Sequence, residues 1–568
     1  MESYINYLDR LDNFSIVVGF KGIRDMVLKL IIPILAASLI FSFVVQIFFS
    51  WLHPFIRIVI PLIGYALIFF VPYALYAMKK RNINTHLHFF ITYAGTISTM
   101  KIPRGQLFKR ISEKRVFGDI SKLFGRIYYL AKGWNLGFAH ACRTMSLRSP
   151  SKVLGDFLDR FAVIMDFGQD PEQFLYDEQK SVLDDYEVEY QKSLENIKLL
   201  QDVFVSFSVA FAFILAIALL APLLMENLTL EAILKWSLFG FIFIESMILI
   251  SIKTFIPPDN LMNEESGLND EQKRIFLWFL GTCTLSIFLL FFINLFFDWP
   301  FLFKFAISIT PLIIPGILAS RLEDTIKRRD AQFPVYVRVL GSAVDVRGGA
   351  MISALKSTQV HDFRDVNQMS INLYRRLRVG SEKFKCWSLF AFESGSNLIN
   401  NFSRIFSESV YLGGNAGKIG KIVSKNMQKI ISMRKLRYQL SQGLRAATYG
   451  SLIGLTATMY VTAKVSQLLI SIFNKPGGME EGMFSFISSI MPQAIGIDFG
   501  SAFMIMAAMI IFHAIASSLI LKLVDGGSLY PALLDFIVMV WIGALISWYL
   551  PMLVENFLPN LTNVWNPA

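Results

Sequence analysis

The strongest constraint on this chain is the grouping of its apolar residues into blocks of roughly 20, the length a helix needs to cross a ~30 Å hydrocarbon core. Inside such a core every backbone N–H and C=O must be bonded within its own segment, so the blocks are predicted to be helices. They read as Leu30–Trp51, Phe55–Met78, Val203–Leu224, Ala232–Lys253, Ile275–Phe297, Phe301–Ser320, Thr448–Phe473, Gly500–Leu523 and Tyr530–Pro551. Composition agrees: 54% of the 568 residues are hydrophobic, against ~45–50% in ordinary soluble domains. The expected fold class is all-α, a polytopic membrane protein with about nine transmembrane helices.

Two polar stretches, 79–202 and 321–447, are too long to be loops. Apolar residues recur in them every three to four positions, as in Val153, Phe157, Leu158, Phe161 and Ile164. Pro103, Gly105, Pro150, Gly168 and Pro171 punctuate the segments. Each stretch is therefore expected to form a small helical-bundle domain. The organisation reads as 1–78 (N-terminus and two spans), 79–202 (first domain), 203–320 (four spans with a short connector at 254–274), 321–447 (second domain) and 448–568 (three spans and the C-terminus). Ile5, Leu8, Leu11 and Phe14 are spaced for a short leader helix, either lying on the membrane surface or packed as an ordinary helix. No cleavable signal peptide is expected at this end.

Charge sets the orientation. Fifteen Lys/Arg lie between Lys79 and Lys152, against Glu113 and Asp119 alone. The second domain carries Lys327-Arg328-Arg329, Arg375-Arg376-Arg378 and Arg434-Lys435-Arg437. Glu226, Glu231, Asp298, Glu480, Glu481, Asp498 and Glu555 fall on the other side. The positive-inside rule then puts the N-terminus and both domains in the cytoplasm, and nine spans put the C-terminus outside. The sequons at Asn227 and Asn560 fall outside in this arrangement, but the one at Asn401 does not, so they add little.

Two spans, a domain and two spans occur twice, with one span added, which points to an internal duplication. A shift of 245 residues superposes Phe157 on Phe402, Phe161 on Phe406 and Gly168 on Gly413, and Gly95 meets Gly341 within one residue of it.

Few residues suggest chemistry. Cys142, Cys283 and Cys386 are odd in number and widely separated, so neither a disulfide framework nor a zinc site is expected. Gly413-Gly414-Asn415-Ala416-Gly417-Lys418 has one residue too few between its glycines for a phosphate loop, and Ile419 stands where Ser or Thr would hold magnesium. No nucleophile–base arrangement is legible, so neither an enzyme, a cofactor nor a metal is expected.

Glu245, His513 and Lys464 are ionisable residues inside predicted spans, which makes them candidates for structural pairing or for function. Two basic clusters, Lys109-Arg110 with Lys114-Arg115 and Arg375-Arg376-Arg378, lie far along the chain from any span. Topology and anionic headgroups are one reading of them. The other is an electrostatic face for an acidic cytoplasmic partner. Nucleic acid is not expected, because aromatics for base stacking are not interleaved with these residues. Asp525-Gly526-Gly527 reads as a tight cytoplasmic turn, either a plain hairpin or one whose Asp525 caps a helix or meets a partner.

The layout resembles the type II secretion F family, the platforms of type IV pilus-like machines, over essentially the whole chain. The sharpest part is Leu444-Arg445-Ala446-Ala447-Thr448-Tyr449-Gly450 with Ile453-Gly454-Leu455-Thr456, then His513-Ala514-Ile515-Ala516-Ser517-Ser518, Val524-Asp525-Gly526-Gly527 and Val540-Trp541-Ile542-Gly543. These runs look like the archaellum branch of that family, whereas the first half matches in architecture alone. The resemblance implies duplicated platform modules that dock a cytoplasmic secretion or motor ATPase and act on archaellin or pilin subunits. It also implies other archaellum components as partners and a dimer or small homo-oligomer in the lipid bilayer. An adhesion-pilus or secretion platform is the nearest alternative. A transporter would want more paired charges in the spans and smaller cytoplasmic domains.

Overall fold

The computed structural model describes residues 12, 14–17, 19–48, 54–100, 103–169, 171–224, 230–257, 259–263, 270–473 and 499–557. The predicted leader-helix positions Ile5, Leu8 and Leu11, the sequons at Asn227 and Asn560, the acidic residues Glu226, Glu480, Glu481 and Asp498, and the C-terminal tail lie outside these residues. Among the described residues the chain is helical, with no β-strand.

The principal helices are α1 (Ile32–Phe48), α2 (Pro54–Ile97), α3 (Arg104–Glu113), α4 (Asp119–Gly133), α5 (Phe138–Ser146), α6 (Lys152–Asp166) and α7 (Pro171–Leu224). They continue as α8 (Leu230–Phe255), α9 (Asp270–Phe296), α10 (Phe301–Ile309), α11 (Ile313–Val346), α12 (Met351–Thr358), α13 (Asn367–Arg378), α14 (Lys383–Ser394) and α15 (Asn397–Tyr411). The last three are α16 (Ala416–Phe473), α17 (Phe499–Asp525) and α18 (Ala532–Phe557).

Seven stretches among the described residues are long and apolar enough to cross a membrane: Gln173–Leu220, Leu230–Phe255, Asp270–Phe296, Phe301–Val346, Ala416–Ile470, Phe499–Asp525 and Ala532–Asn556. They cover the last seven predicted blocks. The first two blocks fall on α1 and the start of α2, which are helical, but most of their side chains lie outside the description. The chain is an all-α polytopic membrane protein.

The duplication is visible in the helix ends. Glu113 and Thr358, Gly133 and Arg378, Phe138 and Lys383, Lys152 and Asn397, Asp166 and Tyr411, and Pro171 and Ala416 are equivalent boundaries, each pair 245 residues apart. Gly168 and Gly413 terminate equivalent helices in the left-handed region, at φ 68° and 92°.

The chain divides into two compact units. Unit one holds Met1–Tyr190, Ala331–Glu393 and Leu398–Ile430, which brings most of both polar stretches into one body. The core of its first copy is aromatic, with Phe138, Phe108, Phe161 and Phe174 stacked in series at centroid separations of 4.7, 5.6 and 5.5 Å. Phe333, Tyr336, Trp387, Phe390 and Phe406 fill the second. The copies meet where α2 and α7 pack on α15 and α16: Asn426 donates to Thr92 Oγ1 (3.0 Å) and Gln179 Oε1 (2.9 Å), and Ser409 donates to Thr96 Oγ1 (2.9 Å). Within the second copy α11 and α16 cross at backbone contact. A Cβ on Gly341 would lie 2.6 Å from the Ala416 carbonyl, so the crossing requires glycine there.

Unit two holds Gln191–Asp330, Ser394–Asn397 and Ile431–Ala568. It contains α8, α9, α10, α17 and α18 with the apolar parts of α7, α11 and α16. Its outer face is apolar, with Phe213, Ile217, Trp236, Phe239, Phe243, Phe291 and Leu295 all at least 60% exposed, as expected of surface that faces lipid.

Candidate functional site

Three groups of residues stand out, one in unit one and two in unit two. In the second copy of unit one, the turns 346–350, 379–382 and 412–415 gather at one end of the bundle. Asn415 donates to Asp345 Oδ1 (3.3 Å), Tyr411 stacks edge-on to Phe384 (5.8 Å), and the Lys383 ammonium lies 5.1 Å above the Tyr411 ring. The glycine-rich run forms a helix start here: Asn415 Oδ1 caps α16 by accepting from the Lys418 N–H (2.8 Å). This end exposes Arg347, Arg375, Arg378, Lys383, Lys385 and Lys418, with Val346 (83% exposed) and Val379 (84% exposed) between them. Apolar tips set among cations suit a protein partner that is acidic and partly apolar.

Folding divides the predicted basic residues. Arg375 and Arg378 are exposed, whereas Arg376 is held by Glu393 within the domain. In the other cluster Lys114 pairs with Glu408 of the second copy, and Lys109 lies 4.0 Å from Glu113 one turn away. Arg110 is half-buried, and Arg115 opens a short 3-10 turn, Arg115–Phe117. Burial first, and then the adjacent Glu408 carboxylate, push the Tyr93 phenol up.

The second group surrounds the turn after α17. Gly526 and Gly527 take φ 87° and 84°, and a Cβ on Gly527 would lie 2.6 Å from Glu323 Oε1, so the turn tolerates little but glycine. Glu323 of α11 accepts from the Ser528 N–H (2.8 Å), the Ser528 hydroxyl (2.9 Å) and the Lys522 ammonium (2.7 Å). Asp525 accepts from Lys522 (3.4 Å) and lies 3.7 Å from Lys327. Arg437 of α16 donates to the carbonyls of Leu523 (2.8 Å), Val524 (2.6 Å) and Pro257 (2.8 Å), capping the C-terminus of α17 with a positive charge. One helical turn away, Arg434 joins Asp330 (2.9 Å) and Asp259. A cavity of about 360 Å³ opens beside this cluster, lined by Asp259, Asn260, Gln272, Ser528 and Tyr530 among others.

The third group lies inside the spans. Glu245 of α8 and His513 of α17, 268 residues apart in sequence, meet carboxylate to ring through Glu245 Oε1 and His513 Nδ1, and both are fully buried. Phe204 lies parallel to the imidazole, with centroids 5.4 Å apart and 10° between planes. Lys464, the remaining predicted intramembrane ion, pairs with Glu555 of α18 (3.1 Å). Sequence order gave no sign of the Glu245–His513 pairing, nor of Glu323, and it marked Arg434 and Arg437 only as members of a basic run, without their partners. These residues carry no motif, and their partners lie far along the chain.

No set of three or more His, Cys, Asp or Glu placed to hold a metal occurs among the described residues. No family model matches the chain, and no solved structure matches it. Two curated proteins do. The chain is 31% identical over 552 residues to "Flagella accessory protein J" of Methanocaldococcus jannaschii, covering 95% of this chain and 97% of that one. It is 30% identical over 553 residues to the protein of the same name from Methanococcus voltae, covering 95% and 98%.

Proposed function

The chain belongs to the flagella accessory protein J (FlaJ/ArlJ) family, and from that membership we propose that it is the membrane platform of the archaellum, docking a cytoplasmic secretion ATPase and passing its movements to filament assembly and rotation. Its work is mechanical and non-enzymatic in this reading, and the nucleotide is handled by the partner. Both polar domains and the N-terminus face the cytoplasm, the C-terminus is external, and the platform acts as a dimer or small oligomer beside archaellin subunits. The supporting observation is the end of the second copy. Its six exposed cations and two exposed valines stand at or near helix ends, on one end of the bundle. Lipid alone accounts poorly for Arg375, Arg378, Lys383 and Lys385, which lie far along the chain from any predicted span. The Asp525 turn, clamped by Glu323 and Arg437, holds the ends of the last two membrane helices in a fixed relation.

The test is copurification. The detergent-solubilised protein should bring down a secretion-type ATPase with archaellum components, and Arg375→Glu/Arg378→Glu should weaken that capture while membrane insertion is unchanged. Equal ATPase recovery by the variant at physiological salt removes this end as the docking face. Recovery of adhesion pilins in place of archaellum components moves the platform to a sister machine.

A further inference from the structure

The Glu245–His513 pair has a property that neither a platform role nor the family name calls for. Both side chains have no exposed surface, and they belong to helices that are apolar enough to span a membrane. A lone charge there is strongly disfavoured. The pair is neutral only when it holds one proton, as carboxylate with imidazolium or as carboxylic acid with imidazole.

The two forms differ in what the second carboxyl oxygen needs. An ionised carboxylate spreads its charge over both oxygens and calls for donors on each. Glu245 Oε2 is buried and has no hydrogen-bond partner among the described residues. A carboxylic acid needs less. Its hydroxyl at Oε1 donates to His513 Nδ1, and the neutral carbonyl at Oε2 forfeits far less when left alone. The imidazole then carries its own proton on Nε2, directed toward Ser451 Oγ at 3.5 Å. Phe204 and Phe241 lie against the ring, the latter at a centroid distance of 5.9 Å, and they keep water from it.

No other charge offers to stabilise an ion. On the helices that pack around the pair, the remaining charged residues stand elsewhere. Those nearest to the pair along each helix are Glu231, Lys235 and Lys253 on α8, Lys522 and Asp525 at the end of α17, Arg445 and Lys464 on α16, and on α7 Asp202, which is exposed.

We propose that Glu245 and His513 form a proton-binding site in the membrane interior, in which the carboxyl of Glu245 holds the proton and donates it in a hydrogen bond to a neutral His513. The site clasps α8 to α17. Parting these helices enough to admit water would let the acid ionise, so opening here releases one proton. The inference stands apart from ATPase docking and survives its failure.

Infrared spectroscopy of the full chain in heavy water tests it. The wild type should show the carbonyl band of a protonated carboxylic acid that Glu245→Gln lacks, and that band should persist from about pH 5 to about pH 7, where an ordinary Glu of pKa ~4.3 is ionised. Should Glu245→Gln fail to fold, Glu245→Leu/His513→Leu supplies the reference spectrum, since apolar replacement of both partners of a buried pair is commonly tolerated. No band difference at pH 7, or a band that disappears as the pH rises from 5 to 7, overturns the assignment.

Discussion

Arg434 offers the sharpest test of how unit two is held together. Its side chain is 7% exposed, and it faces Asp259 and Asp330, 11% and 4% exposed, so one cation offsets two buried anions. Asp330 is tied further by the Ser396 hydroxyl. Removing one partner of a buried ion pair costs about 3–5 kcal/mol, because the remaining charge is left without compensation. Arg434→Met leaves two such charges, so the upper end, about 5 kcal/mol, is the expectation. At about 2–4 °C per kcal/mol for bodies of a few hundred residues, the thermal unfolding midpoint in mild detergent should fall by roughly 10–20 °C. The variant Arg434→Met/Asp259→Asn/Asp330→Asn removes the charges together and should recover most of the loss, to within about 1–2 kcal/mol of the wild type. Arg434→Lys should fall between, since an ammonium lacks the fork that reaches both carboxylates. A single variant that unfolds with the wild type, or a triple variant as unstable as the single one, would refute the reasoning.

Other substitutions probe unit one. Gly341→Ala places a methyl 2.6 Å from the Ala416 carbonyl and 3.0 Å from Gly420 Cα. It should destabilise by about 1–3 kcal/mol through overpacking, read as a lower thermal midpoint. Lys114→Glu sets a carboxylate against Glu408 and should loosen the contact between the copies, seen as faster limited proteolysis of 79–202; unchanged proteolysis would mark the pair as neutral. Burial first, and then the charge of Asp159, push the Cys142 thiol up to about 12. A raised pKa keeps the thiol protonated until far above neutral pH, so at neutral pH its thiolate is about a thousandfold scarcer than that of a free cysteine. Maleimide should therefore leave Cys142 unmodified in the folded protein at pH 7 to 8 and label it only after unfolding, as mass spectrometry of the peptide would read.

The spans and the all-helical class were legible because a 20-residue apolar block has no other way to satisfy its backbone in lipid. The offset of 245 was legible too, and the helix ends keep it. The ion pairs were not legible. Arg434 and Asp259 lie 175 residues apart, and Arg376 looks no different in sequence from Arg375, yet Glu393 neutralises one and leaves the other exposed. Charge runs report composition along the chain, whereas pairing depends on which helices cross, and that is settled by packing.

The duplication also helps separate the two readings of the basic residues. Under the 245-residue offset, Arg375, Arg376, Arg378, Lys383, Lys385 and Lys418 correspond to Leu130, Ala131, Gly133, Phe138, His140 and Gln173 of the first copy. The equivalent first-copy end instead exposes Trp134 (66%) and Phe167 (77%), where the second copy has Val379 and Leu412. If these cations served only to hold the chain with its positive side inward, or to attract headgroups, both copies would be under the same demand in the proposed topology, which sets both domains on the same side of the membrane. Equivalent turns that differ so sharply in charge fit selection for different contacts. The two ends should then lose different partners when altered. Arg375→Glu/Arg378→Glu should release the acidic one in a salt-dependent way, while Trp134→Ser/Phe167→Ser should act through apolar contact and change little with salt. The same loss and the same salt dependence from both variants would mean the ends form one surface, and the case for specialised copies would fall.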